Sequence, residues 1–331
     1  MKAIAITKYV SSPFDLKVAD VDVPKPGKNQ VLVKVEYAGA NFFDTLQMQG
    51  KYQNQPPFPY VLGAEFSGSV VESNNPAFKP GDKVFGSTQG SYGEYCLANP
   101  LNIRKIPKGW TTKDAAGIFV TLPTSYCALA MRANLQPDEL VLVHAGAGGV
   151  GIYAIQIAKA LGAKVIATAG SDSKLDICKK FGADYVVNYS TADWIEEVKK
   201  ISKSLNRKGV DVVYDPVGLV DKSLKVVGWN SRILVVGFAA GQIESVRTNK
   251  FLLKQCSLVG VHWGAYFVQD TKGLDVMWNG IEPLIAKGLI KSANFDTVYQ
   301  GLQSVPQALS DLSTRKTWGK VAIRVAYDSK L

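Results

Sequence analysis

Short runs of alternating apolar and polar residues fill the first 120 residues of the chain, as in the segments QVLVKVEYAG and SGSVVES. Clusters of proline and glycine, such as VPKPGKN and QNQPPFPY, separate these runs. A period of two positions predicts strands, and the proline and glycine clusters predict turns. The pattern therefore predicts a β-rich domain in this part of the chain.

The pattern changes near Thr121, where the segment TLPTSYCALAMRANL has helical spacing. From there strand-like and helix-like runs alternate: ELVLVHA precedes GIYAIQIAKALGA, KVIATAG precedes DSKLDICKKFGA, and VDVVYDPVG precedes DKSLKVVGWNS. The runs RILVVGFA and CSLVGVHW follow as further strands. Continuous apolar strands that alternate with amphipathic helices predict a parallel sheet with helices on both faces.

A third pattern begins near residue 265, with two helical runs, GLDVMWNGIEPLIAKG and VPQALSDLSTR, and a final strand, GKVAIRVAY. This segment is too short to bury a core of its own, so we expect it to return to the first domain. The sequence thus predicts an α/β chain with two domains. The first is assigned to residues 1–123 and 265–331, and the second to residues 124–264.

Composition and charge agree with a two-domain chain, and the charge indicates which class of ligand the protein binds. A chain of 331 residues with 47% hydrophobic and 20% charged residues is typical of a globular protein with two cores. The formal net charge of +10 suits anionic partners. Because the basic residues are interleaved with acidic ones, the charge favours a phosphorylated small ligand and disfavours nucleic acid.

Cysteine spacing and hydropathy exclude other classes. Four cysteines lie far apart without CxxC spacing, which disfavours a zinc knuckle or a disulfide framework and suits a reducing compartment: Cys96, Cys127, Cys178 and Cys256. The span 140–158 carries no Asp, Glu, Lys or Arg. Its glycine-rich centre predicts a sharp turn between two buried elements, so we expect no membrane association.

The chain ends in Ser329-Lys330-Leu331, which matches a peroxisomal targeting tripeptide read by an import receptor. The alternative is a basic tail that ends this way by chance. The sequence predicts a peroxisomal protein, with the cytoplasm as the alternative.

The segment VHAGAGGVG, residues 143–151, contains the motif G-x-G-x-x-G at Gly146, Gly148 and Gly151. It follows a predicted buried strand and precedes a predicted helix, which is the context of a dinucleotide site. The first glycine permits the turn, the second the approach of a pyrophosphate, and the third close packing of helix and strand. We expect the backbone of Gly149 and Val150 to contact the cofactor as well.

The end of the second predicted strand distinguishes NADP from NAD. An NAD site places an acidic residue about 20 residues after the glycine motif. Here the small pair Gly170-Ser171 stands at that point, and Lys174 follows one helical turn later. A hydroxyl and an ammonium suit a 2′-phosphate, which favours NADPH, although Asp172 weakens the preference if it points at the ribose.

The chain resembles the zinc-free quinone oxidoreductase (zeta-crystallin-like) branch of the medium-chain dehydrogenase/reductase superfamily. The segments that carry the likeness span nearly the whole sequence: AGANFFDTLQMQGKY, VLGAEFSGSV, KPGDKVFG, AAGIFVTLPTSYCAL, VLVHAGAGGVGIYAIQIAKALGA, AGSDSK and GKVAIRV. The resemblance implies a GroES-like catalytic domain, a doubly wound Rossmann domain, NADPH and a cleft between them. It also implies a homodimer through the sheet edge near residues 258–263.

Site residues follow from the same resemblance. Ser171, Lys174 and Tyr189 match the contacts of the 2′-phosphate, and Arg315 matches a further cofactor contact. Phe238 matches the residue that lines the nicotinamide. Two more positions near the nicotinamide match the asparagine of an NFxD motif and a threonine at a helix start, namely Asn41 and Thr124.

Zinc dehydrogenases of the superfamily bind catalytic zinc through a cysteine and a histidine, whose positions fall here at Asn41 and Ala64. Neither residue is a zinc ligand of that kind, so the sequence predicts no metal. The chain has two histidines, and we expect both His144 and His262 to be packed, hydrogen-bonded residues.

Without a metal, the substrate of hydride transfer must already be activated, as quinones and α,β-unsaturated carbonyls are. The developing negative charge needs a donor, and the candidates are Asn41, Tyr52 and Thr124. For Tyr52, a proton donor and an aromatic wall are equally consistent with the sequence. Glu65 and Asp44 are predicted to be structural.

Position 46, a tyrosine in many quinone reductases of the branch, is Leu46. The apolar residue leaves room for alkenals, enones or enoyl thioesters as substrates. A second alternative is a nucleotide- and RNA-binding relative of zeta-crystallin with little catalysis.

Overall fold

The computed structural model describes residues 1–239, 241 and 243–325. The tripeptide Ser329-Lys330-Leu331 lies outside the described residues. Proximity between Cα atoms divides the chain into two units, of which the first contains Met1–Val120 and the chain from Ser292 onward, and the second Thr121–Lys291. The return to the first unit therefore begins at Ser292, whereas the sequence placed it at residue 265.

The strands are short, as the alternating pattern predicts. In chain order they are β1 (Lys2–Ile6), β2 (Val18–Asp20), β3 (Val31–Ala40), β4 (Tyr60–Val61), β5 (Glu65–Ser73), β6 (Lys83–Ser87), β7 (Tyr95–Ala98), β8 (Ile103–Lys105), β9 (Leu140–Val143), β10 (Lys164–Ala169), β11 (Tyr185–Asn188), β12 (Val210–Asp215), β13 (Val227–Val235), β14 (Ser257–Gly260), β15 (Tyr299–Gln300) and β16 (Val321–Arg324).

The longer helices belong to the second unit. The α-helices are α1 (Phe42–Met48), α2 (Thr112–Ala115), α3 (Ile118–Tyr126), α4 (Gly149–Ala160), α5 (Asp172–Lys180), α6 (Trp194–Ser204), α7 (Val220–Ser223), α8 (Asn249–Lys254), α9 (Tyr266–Gln269), α10 (Thr271–Ala286) and α11 (Val305–Ser313). A π-helix continues α3 over Cys127–Arg132, and 3₁₀ turns cover Pro13–Asp15, Pro100–Asn102, Trp263–Ala265 and Leu302–Ser304.

The first unit is built on a sheet of order β15-β16-β3-β5-β6-β8, with β7 also paired to β3, and on a smaller sheet of order β2-β1-β4. β3 is its central strand, and Val31, Val33 and Val35 on it are fully buried. β16 pairs antiparallel with β3, which brings the end of the described chain into the sheet. The β-rich domain and its C-terminal return are confirmed.

The second unit contains a parallel sheet of order β11-β10-β9-β12-β13-β14. All four residues of β9 are buried, as expected for a strand covered on both faces. Because the strands are parallel, the residues that follow them lie at one edge of the sheet. The predicted doubly wound α/β domain is confirmed.

One predicted helix is wrong. In DKSLKVVGWNS the helix α7 ends at Ser223, and β13 begins at Val227, where it pairs with Val210 of β12. The β-branched residues Val226 and Val227 favour the strand, and both are buried. Among the described residues, no helix combines the length and the apolar character that a membrane span requires.

Candidate active site

The glycine turn between β9 and α4 is tightly packed at Gly151 and open at Gly148. A β-carbon at Gly151 would overlap the carbonyl oxygen of Ala145 and lie 2.9 Å from the Cα atom of Gly146. At Gly148, the N-cap of α4, a β-carbon would meet only the Ala145 carbonyl oxygen, at 3.2 Å. Gly151 therefore serves packing, and Gly148 leaves the N-terminus of α4 open to a ligand.

The residues that follow β10 and β11 form a second part of this edge. Ser171 is the N-cap of α5, and its hydroxyl accepts a hydrogen bond from the backbone N–H of Lys174. A β-carbon at Gly170 would lie 2.7 Å from the hydroxyl of Tyr189, so the tyrosine ring lies against this glycine. Tyr189 is 47% exposed and is thus available to a ligand.

Asp172, the residue that weakened the NADP preference, has a partner within the protein. Its Oδ1 accepts a hydrogen bond of 2.8 Å from Nδ2 of Asn188. The carboxyl group is therefore engaged with Asn188, the last residue of β11. The hydroxyls of Ser171 and Tyr189 and the ammonium of Lys174 belong to this edge and are groups that suit a phosphate.

These observations fit a dinucleotide that carries a 2′-phosphate. The N-terminus of α4 supplies backbone N–H groups and a favourable dipole for a pyrophosphate, and the open space at Gly148 admits it.

The other predicted cofactor residues are placed in both units. Phe238 follows β13 at the same sheet edge of the second unit and is exposed. Thr124 lies in α3, next to Ser125, whose hydroxyl donates to the carbonyl oxygen of Val150 in α4 at 2.8 Å. Arg315 belongs to the first unit, where it follows α11 with a φ of +60°. Its cofactor contact stays a prediction.

The two histidines differ from each other. His144 is buried, with Nδ1 3.3 Å from the Thr168 hydroxyl and Nε2 3.0 Å from the Ser223 hydroxyl. Burial lowers its pKa to about 4, against the opposing effect of the Asp215 charge. The prediction of a packed, hydrogen-bonded residue is confirmed for His144. It is wrong for His262, which is exposed because the chain leaves β14 at Gly260.

In the first unit, Asn41 is held by a buried ion pair. Nζ of Lys320 donates to Oδ1 of Asn41 at 2.6 Å and to Oε2 of Glu65 at 3.0 Å. The Asn41 amide nitrogen donates to the same Glu65 oxygen at 2.9 Å and to the carbonyl oxygen of Gly39 at 3.2 Å. Both amide hydrogens are thus engaged, so the predicted role of Asn41 as a donor to substrate finds no support in this geometry.

A second buried carboxyl group adjoins this network. Oδ2 of Asp44 accepts hydrogen bonds from the backbone N–H of Asn41 at 2.8 Å and from the Tyr92 hydroxyl at 2.7 Å. Its Oδ1 is buried and has no hydrogen-bond partner in the described part of the chain. Burial, with the charge of Glu65, raises the pKa of Asp44 to about 7, against the hydrogen bonds and the Lys320 charge. Asp44 and Glu65 are held by interactions within the protein, in line with structural roles.

Tyr52 follows α1, and its surroundings are compatible with both roles considered for it. Its ring stacks on that of Phe43, with centroids 5.2 Å apart, as an aromatic wall requires. Its hydroxyl has no hydrogen-bond partner among the described residues, and burial together with the charge of Asp44 raises its pKa. The phenol is therefore protonated and free to donate. Leu46, half-buried in α1, makes this part of the unit more apolar.

The residues at the superfamily's zinc positions do not fit zinc. Asn41 and Ala64 offer neither a thiolate nor an imidazole, and the ammonium of Lys320 bonds to the oxygen atoms beside them. Within residues 1–239, 241 and 243–325, no group of three or more His, Cys, Asp or Glu side chains could hold a metal ion.

Sequence reasoning missed Lys320 and Tyr92, both of which complete the polar network. The one local signal for Lys320 was a charged residue directly before the apolar strand β16. Tyr92 lies in a loop and gave no signal.

Two family models match separate segments of the chain, one mainly in each unit. Residues 27–127 match the family model of the alcohol dehydrogenase GroES-like domain, and residues 149–277 match that of the zinc-binding dehydrogenase. The latter name describes the family. In this chain the two zinc-ligand positions hold Asn41 and Ala64.

The chain is similar to quinone oxidoreductases along most of its length. It is 37% identical to quinone oxidoreductase-like protein 2 of Mus musculus, over 91% of this chain and 86% of the relative. It is 35% identical to quinone oxidoreductase of Homo sapiens, over 86% of this chain and 89% of the relative. The structure of Escherichia coli quinone oxidoreductase complexed with NADPH matches with a TM-score of 0.86 and 29% identity, over 98% of this chain and 100% of that one.

Proposed function

The chain belongs to the quinone oxidoreductase family of the medium-chain dehydrogenase/reductase superfamily, and from this premise we propose a zinc-independent reductase of quinones or other α,β-unsaturated carbonyl compounds. It is an NADPH-dependent oxidoreductase. Cofactor binding is supported above all by the sheet edge of the second unit. There Gly148 leaves the N-terminus of α4 open, and Ser171 and Tyr189 follow the neighbouring strands. This edge suits a phosphorylated dinucleotide.

When bound, NADPH supplies the hydride. The protein binds and orients the cofactor and stabilises the charge that develops on the substrate oxygen. The N–H groups at the start of α4 hold the pyrophosphate, and Lys174 with the Ser171 and Tyr189 hydroxyls holds the 2′-phosphate. The Tyr52 hydroxyl is the donor to the substrate oxygen, since the amide hydrogens of Asn41 are engaged with Glu65 and Gly39.

Conjugation in the substrate replaces the polarising effect of a metal ion, because charge spreads onto the conjugated oxygen. The Phe43–Tyr52 ring pair and the apolar Leu46 suit a flat, apolar acceptor. Leu46 also favours alkenals and enones as a second substrate class.

The test is a panel of quinones, enones, alkenals and enoyl thioesters assayed with NADPH and NADH in the presence of a metal chelator. We expect NADPH oxidation with a quinone or an enone that the chelator leaves unchanged. Activity that is lost with the chelator and restored by zinc would contradict the proposal, as would turnover of none of these acceptors.

Lys174→Ala is expected to weaken NADPH binding by about 10- to 100-fold and to leave NADH binding unchanged, because a charge-assisted contact to the 2′-phosphate is lost. Fluorescence titration with both cofactors measures the effect. Lys179→Ala is the matched control, since Lys179 lies on the same helix and pairs with the exposed Asp176. An equal loss for both cofactors would contradict the role of Lys174.

Tyr52→Phe is expected to lower kcat by about tenfold or more, because phenylalanine keeps the stacking on Phe43 but removes the donor. Tyr52→Ala removes both and should also raise KM. Steady-state kinetics with one quinone and one enone separate the two effects. An unchanged kcat in Tyr52→Phe would contradict the donor role and leave Tyr52 only the role of an aromatic wall.

We also propose a homodimer formed through β14. This strand pairs with β13 on one side, ends the order of the sheet, and carries Leu258, which is half exposed. Sedimentation velocity should give the mass of a dimer for the parent and of a monomer for Leu258→Asp. A monomeric parent would contradict the proposal.

Peroxisomal localisation is a proposal from the sequence alone, with an import receptor as the partner. Removing residues 329–331 from an N-terminally tagged protein should move it from peroxisomes to the cytosol, as seen by microscopy. A distribution that the deletion does not change would refute the proposal.

A further inference from the structure

Lys320 is buried where an uncompensated charge is costly. Its side chain is 3% exposed, and that of its partner Glu65 is fully buried. The ammonium donates to three oxygen atoms, on Glu65, on the Asn41 side chain and on the Ala40 backbone. An ammonium group has three hydrogens, so its donor capacity is fully used within the protein.

The surrounding chain is shaped to hold this lysine. A β-carbon at Gly117 would lie 2.7 Å from both Cβ and Cε of Lys320, so the glycine makes the space for the aliphatic part of the side chain. The second oxygen of Glu65 accepts the backbone N–H of Val120 at 2.9 Å. Every oxygen and hydrogen of the ion pair thus has a partner, which is the condition under which a buried pair is tolerated.

The ion pair lies next to the two positions at which zinc dehydrogenases of the superfamily carry metal ligands. Asn41 stands where zinc dehydrogenases have a ligating cysteine, and Glu65 directly follows Ala64, the position of the histidine. Here the oxygen atoms of Asn41 and Glu65 are both bound by the ammonium. A divalent ion near them would meet a positive charge at a few ångströms, with repulsion strengthened by burial.

We propose that Lys320 is a positioning residue whose ammonium is the resident cation of this site: it neutralises Glu65, fixes the Asn41 amide and excludes a divalent metal ion. The inference extends the zinc-independent chemistry of the proposed function. Its tests measure stability and metal content, so they can fail while NADPH-dependent reduction holds, and the reverse.

The first test is a double-mutant cycle with Lys320→Met and Glu65→Gln, read as melting temperature. Each single variant leaves one buried charge without its partner and should lose about 10 °C, whereas the double variant should recover at least half of the summed loss. Additive losses would overturn the inference. If neither single variant folds, a folded double variant supports the inference and an unfolded one overturns it.

The matched control is a cycle with Lys159→Met and Asp184→Asn in the second unit. This pair has a similar distance, 2.9 Å, but both side chains are about one-third exposed. The coupling between these two substitutions should be small, because solvent screens the charges. Equal coupling in both cycles would mean that burial of Lys320 has no special role.

The second test asks whether Lys320 excludes zinc. Asn41→Cys with Ala64→His restores the two ligand types, next to Glu65. After incubation with zinc and dialysis, mass spectrometry of the metal content should show little zinc in this double variant. Adding Lys320→Met should raise the content to about one zinc per chain. A high zinc content with Lys320 present, or none in either variant, would overturn the inference.

Discussion

Gly148→Ala is expected to lower NADPH affinity by at least about tenfold, equivalent to about 1.4 kcal/mol, with little change in melting temperature. The reason is the open space at this position. A β-carbon there would contact only the Ala145 carbonyl oxygen, at 3.2 Å, so the folded chain accepts it. The methyl group would instead occupy the approach of the pyrophosphate to the N-terminus of α4.

Gly151→Ala, three residues later, is expected to lower both the NADPH affinity and the melting temperature. Its β-carbon would overlap the Ala145 carbonyl oxygen and lie 2.9 Å from the Cα atom of Gly146, and backbone atoms yield poorly. Overpacking of this kind costs about 1–3 kcal/mol, a fall in melting temperature of about 5 °C, and it would displace the turn at which we propose that the cofactor binds.

Thermal melts and NADPH titrations of both variants provide the comparison. Gly228→Ala is the control, because its β-carbon would meet nothing nearer than 3.6 Å in the same unit. Full NADPH affinity in Gly148→Ala would contradict the placement of the pyrophosphate at this turn.

The glycine turn could be predicted because its information is local. Nine consecutive residues between a buried strand and a helix determine it, and the structure places them as expected. The α/β architecture was predictable for the same reason, since periods of two and of 3.6 residues are read within short windows. The failure at DKSLKVVGWNS came from Val227, whose pairing with Val210 across the sheet outweighs local helical spacing.

The polar network of the first unit could not be predicted, because it joins distant parts of the chain. Lys320 contacts residues that lie 279 and 255 positions away, and Tyr92 contacts Asp44 across 48 positions. The family motif located Asn41 but did not show that its amide is engaged by Glu65 and Lys320. Only the folded structure shows that both amide hydrogens of Asn41 are engaged, which is the reason for proposing Tyr52 as the donor.

Asp44→Asn is expected to raise the melting temperature above that of the parent at alkaline pH and to lose this advantage at acidic pH. Oδ2 of Asp44 accepts both hydrogen bonds, from Asn41 and Tyr92, while Oδ1 is buried without a partner. An asparagine keeps the accepting oxygen and puts a neutral amide nitrogen in place of Oδ1. It therefore resembles the protonated form of Asp44 in shape and charge.

The sign follows from the raised pKa of Asp44, about 7 in the fold against 3.8 for an ordinary Asp. The stability gained from this proton is complete below the lower value and is lost as pH rises through the upper one, on the order of 4 kcal/mol in all. Glu65, Lys320 and Tyr92 face the same carboxyl group. The melting temperature of the variant minus that of the parent should therefore be followed from about pH 5 to about pH 9.

Asp215→Asn is the matched control, because this buried carboxylate uses both oxygens to accept backbone N–H groups of residues 217–219. An amide there loses an acceptor, so this variant should be less stable than the parent at every pH. For Asp44→Asn the difference in melting temperature should rise by several degrees as pH increases towards the folded pKa of about 7, and it should level off above that pH. A difference that is negative and constant over the whole range would mean that Asp44 is ionised in the fold and that its charge stabilises the network.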